Sequence, residues 1–163
     1  KTREISFAAP QLETTSFRNG VQPTTRSNFG QVSTLVFPDD IADTHAVATG
    51  FRMPTDWDGG PITVKIQWTT LVGGGVHWAI RFSAASVGGS LNSVSLVSPP
   101  GGDFIGAFPG AAIATESTVA ISSGIAAGQW VMLSIERRSD TVQDTCTNNV
   151  YLLGAVISYT AVR

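Results

Sequence analysis

The side chains of this chain best equipped for chemistry lie in a short polar elbow, Arg137-Arg138-Ser-Asp140-Thr-Val-Gln-Asp144. An arginine leaving a strand can grip an aspartate of the next loop with both limbs of its fork. The pattern therefore predicts structural ion pairs of Arg137 or Arg138 with Asp140 or Asp144, with anion binding as the poorer use. A second pattern, Asp56-Trp57-Asp58 ahead of Gly59 and Gly60, sets an aromatic face between two carboxylates. Such a trio could stack on a sugar ring and hydrogen-bond it, so Trp57, Asp56 and Asp58 are candidate ligand contacts. The competing reading of Trp57 is a plug that closes the end of a sandwich. Asp39, Asp40 and Asp43 form another oxygen-rich loop. Neither acidic loop alternates like an EF-hand, and Asp and Gly are ordinary turn formers, so calcium is the weaker reading.

Nucleophilic catalysis needs a hydroxyl or thiol, a base and an orienting group that converge. His45 and His77 are the only histidines and Cys146 the only cysteine, and no Gly-x-Ser-x-Gly elbow accompanies them. Glu116 and Glu136 are the best carboxylates for a glycosidase pair, yet nothing in the sequence brings them together. One cysteine forms no intrachain disulfide, and with two histidines it cannot close a zinc site within one chain. Only histidines repeated around a three-fold axis could gather a metal. The expectation is a protein that is not an enzyme and carries no cofactor.

Strands must position these residues. Alternation places them at Val32–Phe37, His45–Met53, Ile62–Thr70, Val76–Ala84, Ser93–Ser98, Glu116–Ser122, Gln129–Arg138 and Asn149–Thr160, with a further one at Glu4–Ala8. Ile62, Val64, Ile66 and Trp68 share one face, as do Val76, Trp78, Ile80 and Phe82. Gly73 to Gly75 fit the hairpin between those two strands. No segment shows a capped helical stripe, since Pro109 and Gly110 interrupt the alanine-rich 107–114. Residues 1–30, polar and turn-rich from residue 8 on, read as an extended N-terminal arm or linker, and 31–163 as the folded domain. The predicted class is all-β, a two-sheet antiparallel sandwich of jelly-roll type. An immunoglobulin-like sandwich is the runner-up, but it lacks its Cys…Trp…Cys spacing.

The last strand reads apolar on both faces: Val150, Leu152 and Val156 on one, Tyr151, Leu153, Ala155, Ile157 and Tyr159 on the other. A strand of that kind has something packed on each side. Tyr151, Leu153, Ile157 and Tyr159 are accordingly assigned to an oligomer interface. Only 13% of the 163 residues are charged, about half the usual fraction, which also favours buried surface in an assembly. The net charge of −2 and the lack of a basic stripe argue against nucleic-acid binding. No apolar run is long enough for a membrane helix. Lys1 to Phe7 has no signal-peptide core, and without an initiating Met the chain reads as a processed or excised piece.

Five stretches carry a family likeness: Phe51-Arg-Met-Pro-Thr-Asp-Trp-Asp-Gly-Gly-Pro-Ile-Thr-Val-Lys-Ile-Gln-Trp-Thr69, Gly75-Val-His-Trp78, Ala127-Gly-Gln-Trp-Val-Met-Leu-Ser-Ile-Glu-Arg137, Asp140-Thr-Val-Gln-Asp-Thr145 and Leu153-Gly-Ala-Val-Ile-Ser-Tyr159. Over residues 31–163 the chain resembles β-sandwich domains of phage and prophage virion proteins, such as tail-fibre tips and head or tail decorations. The resemblance implies a jelly-roll homotrimer on the surface of an extracellular virus particle, with its own copies and other virion proteins as partners. It brings no metal or catalytic residues. The functional expectation is thus a virion structural protein. The alternative is a carbohydrate-binding or host-receptor-binding module whose partner is a host surface glycan.

Overall fold

A computed structural model of the chain describes residues 1–12, 21–40, 43–89, 96–108, 110–121 and 124–162. Among these, the elements in chain order are β1 (Thr2–Ala8), a 3-10 turn (Ala9–Gln11), β2 (Val21–Pro23), β3 (Thr25–Phe29), β4 (Val32–Phe37), β5 (Thr44–Arg52), β6 (Ile62–Thr70), β7 (Val76–Ala85), β8 (Asp103–Gly106), β9 (Thr115–Ile121), β10 (Trp130–Arg137) and β11 (Val150–Thr160). One sheet runs β3-β4-β11-β6-β9, with β1 also paired to β11, and the other runs β2-β5-β10-β7-β8. Every pairing is antiparallel except β2 with β5. The two-sheet sandwich expected from alternation is therefore observed. No described helix is long and apolar enough to cross a membrane.

The alternating residues of β6 and β7 meet between the sheets. Trp68 and Trp78 have no exposed surface and cross edge-on with centroids 6.0 Å apart, while Phe37 meets Trp78 at 5.4 Å. Edge-to-face rings of this kind add about 0.5–1.5 kcal/mol per pair beyond the area they bury. Val131, Leu133 and Ile135 of β10 face the same core. Arg137, next in that alternation, follows them inward and is wholly buried at one end of the sandwich.

Three strands escaped the alternation. β3 is nearly all polar and exposed, while β2 and β8 are three- and four-residue pieces in turn-rich surroundings. The described parts of the segment read as an extended arm or linker supply three strands to the two sheets. β1 lies on β11 from Thr2↔Thr160 to Ala8↔Gly154, β2 borders β5, and β3 borders β4. Half of the strand expected at Ser93–Ser98 falls outside the described residues, and its described half makes one bridge, from Val97 to Phe82.

β11 corrects the reading of its own faces. Its register with β6 shifts between Leu152 and Gly154, the mark of a bulge, and an extra residue reverses which parity points inward. Val150 and Leu152 face the core before the bulge, and Ala155, Ile157 and Tyr159 face it afterwards. Ile157 and Tyr159, assigned to a subunit interface, are thus core residues of the protomer, 0% and 6% exposed. Tyr151 and Leu153 face outward and are half-buried, Tyr151 lying against the Phe29 ring at 4.8 Å.

Candidate functional site

The outer face of the β5-β10-β7-β8 sheet holds the residues on the polar parity of β10: Trp130, Met132, Ser134 and Glu136. Register sets their neighbours. Trp130 stands between Arg52 and Ala85, Met132 between Gly50 and Ser83, Ser134 between Ala48 and Arg81, and Glu136 between Ala46 and Ala79. Small residues thus flank the large ones along most of the strand, leaving shelf rather than bulk beside each. The two ends of this face differ in kind.

At the Glu136 end the polar groups satisfy one another. Arg81 donates to Asp103 at 3.2 and 3.4 Å, and also to Ser98, whose hydroxyl donates to Asp103 at 3.0 Å. Glu136, with no exposed surface, accepts from Ser134 at 3.2 Å and lies 3.9 Å from Arg81 Nε. His77 sits 2.7 Å from the Thr141 hydroxyl and 3.8 Å from Asp103. Burial works to raise the Asp103 carboxyl, but the hydrogen bonds and charge of Arg81, with help from Ser98 and His77, hold it below the usual carboxylate range. Burial lowers His77 more than the nearby carboxylates raise it. The Ser98 hydroxyl is engaged by a guanidinium and a carboxylate rather than by an imidazole, so this cluster is not a nucleophilic triad. It works as a strut bracing β7 and β8.

At the Trp130 end the face is open. Trp130 is 51% and Met132 39% exposed, whereas Trp57, Trp68 and Trp78 are at most 4% exposed. An open recess of about 360 Å³ adjoins Trp130 through its cross-strand partner Arg52 and its chain neighbour Gln129, with Thr55 and Ser86 among the other lining residues and the indole itself outside the lining. That volume is at the lower end of small-ligand sites. Its walls are tied together. Arg52 Nε donates to the Gly128 carbonyl at 3.0 Å, and Gln129 donates to Ser86 at 3.1 Å and accepts from the Ala126 N–H at 2.7 Å. Gly128 turns the chain at φ 78°, a conformation that favours glycine, and so starts β10 with Trp130 on the outer face. A flat indole beside fixed donors and acceptors can stack on one ring face of a ligand and hydrogen-bond its edge.

The residues singled out in the sequence lie elsewhere. Trp57 is core, bridged to Ala161 and 4% exposed, so it plugs the sandwich end and corrects the sugar-stacking reading. Asp56 pairs with Arg3 at 2.8 Å, and Asp58 accepts the Gly60 N–H at 2.8 Å. Both flanking carboxylates therefore serve local structure. In the elbow, Arg137 reaches Asp144 through Nε at 3.0 Å and Nη2 at 2.9 Å, and Arg138 reaches Asp140 at 3.0 and 3.1 Å. Arg137 also donates to Asp39 and to the Phe37, Cys146 and Asn148 carbonyls. Among the described residues no three of His, Cys, Asp and Glu gather as a metal site would require. Trp130 went unassigned in the sequence, although its parity with Met132, Ser134 and Glu136 already placed it opposite the apolar Val131, Leu133 and Ile135.

No family model matches the sequence, and no curated protein matches it either. By structure the chain is similar to the CBM36-1 domain of a multidomain xylanase from the hindgut metagenome of Trinervitermes trinervoides, with a TM-score of 0.56, 9% identity, and coverage of 99% of this chain and 100% of that one. It is also similar to a family 35 carbohydrate binding module from Clostridium thermocellum, with a TM-score of 0.53, 6% identity, and coverage of 95% and 97%. At such identities the likeness establishes a shared β-sandwich fold. A chain of infectious bursal disease virus Gx strain aligns at a TM-score of 0.41 over 33% of its length, too loosely to argue from.

Proposed function

We propose that this chain is a glycan-binding module whose ligand stacks on Trp130. The observation that carries the reading is the exposure of that one indole, while the other three tryptophans are spent on the core. A half-exposed tryptophan on a sheet face loses apolar burial unless a partner covers it, and a sugar ring offers an apolar face with polar edges to match. The tied polar recess beside it supplies the edge contacts. The carbohydrate-binding modules that share the fold support the same reading. The proposed activity is recognition of the ligand without bond cleavage.

The likeness to virion domains is compatible with this site. Its motifs span the frame of β6, β7, the elbow and β11 and the site as well, since Phe51–Thr69 carries Arg52 and Thr55 and Ala127–Arg137 carries Gly128, Gln129 and Trp130. A module of this kind at a fibre tip or on a particle surface would meet a host surface glycan there. That placement, and the homotrimer that goes with it, rest on the sequence likeness alone.

A glycan microarray probed with the intact chain and with Trp130→Ala tests the reading. The intact chain binds a defined subset of glycans. The variant loses about 2 kcal/mol, roughly a thirty-fold weakening, as expected for a central aromatic anchor. An array without signal, or equal binding by Trp130→Ala, overturns the proposal.

A further inference from the structure

We infer that the ligand of the Trp130 shelf carries a carboxylate, as in a uronic or sialic acid, and that Arg52 receives it. This rests on the glycan-binding reading and adds its charge. Arg52 is the cross-strand partner of Trp130, so both side chains project from the same face at neighbouring positions. It also lines the recess of about 360 Å³ beside that indole. Its Nε is spent on the Gly128 carbonyl, which fixes the plane of the guanidinium and leaves its terminal nitrogens for another partner.

The other arginines with ion pairs have committed theirs. Arg3 holds Asp56, Arg81 holds Asp103, Arg137 holds Asp144 and Arg138 holds Asp140. Among the described residues no carboxylate pairs with Arg52. In a chain with only ten basic residues, a solvent-facing guanidinium oriented beside the lone exposed indole is an anion receptor. A planar carboxylate is the group that its two-pronged donor geometry matches. The remaining polar lining, Thr55, Ser86 and Gln129, suits the hydroxyls of a sugar ring. No carboxylate of the recess lining would repel the acid.

Isothermal titration of the intact chain with two matched pairs tests this: tetragalacturonic acid against its methyl ester, and 3′-sialyllactose against lactose. The proposal expects one acid to bind about ten- to a hundred-fold more tightly than its uncharged counterpart, the range of a charge-assisted hydrogen bond. Which pair shows the preference separates uronate from sialoside. In Arg52→Gln that preference collapses while the weak binding of the uncharged counterpart survives, and Arg52→Lys restores part of it. Trp130→Ala loses acid and neutral forms alike. Equal binding of acid and counterpart, or an acid preference kept by Arg52→Gln at unchanged thermal stability, overturns the role of Arg52 and leaves the Trp130 reading standing. Binding of every form unaffected by Trp130→Ala, or no binding of any form, overturns both.

Discussion

Arg137 shows what a charged residue on an inward-facing parity requires. Its side chain is fully buried, and the Asp144 carboxylate opposite it is 1% exposed. Burying such a pair is tolerable only when each donor and acceptor is used. Asp144 meets that condition by also accepting the His77 and Cys146 backbone N–H groups at 3.1 and 3.2 Å. Asp144→Asn removes the nearer and more deeply buried of the guanidinium's two counter-charges, leaving the more exposed Asp39 at 3.3 Å. It should lower unfolding free energy by about 3–5 kcal/mol, read as a shifted midpoint in urea, and a loss under about 1 kcal/mol would contradict this account of the elbow. The ion pairs were legible because Arg and Asp at that spacing have few other uses. Trp57 was not. A tryptophan flanked by two aspartates looks the same in sequence whether it faces water or closes a core, and only the Ala161 bridge decides.

Among the elements, β11 holds the sheet together, because three strands use it. β6 pairs along one edge, while β4 and β1 share the other in succession, at Val150–Leu152 and at Gly154–Thr160. The handover falls at the bulge, and there glycine is required by proximity: a Cβ on Gly154 would lie 2.7 Å from the Phe7 carbonyl oxygen. Gly154→Val should force β1 outward and cost about 1–3 kcal/mol, as overpacking does. Hydrogen exchange should then show the β1 amides opening ahead of the rest of the sheet, whereas unchanged stability and unchanged β1 protection would refute the close approach. Eight strands could be read from their apolar runs, most cleanly in β6, whose alternation writes its half-burial into the sequence. β3 and β8 could not, since edge strands with few buried side chains leave no such trace. The bulge was equally silent, and counting through it turned two core residues into surface ones.

For the molecule as a whole, low charge and a doubly apolar β11 were the grounds for expecting an assembly. The second ground narrows at the bulge, where Ile157 and Tyr159 turn into the core while Tyr151, Leu153 and Val156 stay half-buried on the outer face. The first has a local account, since several of the few charges are engaged in ion pairs that brace the elbow, the outer sheet and the β1 edge. The outer face of β10 is left with Trp130 and Met132 exposed and Arg52 beside the indole. The sequence held the parity that put Trp130 outside, but it gave no sign that the other three tryptophans would all be consumed by the core. Acrylamide quenching of intrinsic fluorescence, with and without a glycan that binds on the array, tests this claim most directly. The account predicts that one of the four tryptophans is quenched in the free protein, that saturating glycan shields it, and that Trp130→Phe removes both effects. Quenching that saturating glycan leaves unchanged, or that persists undiminished in Trp130→Phe, would contradict it.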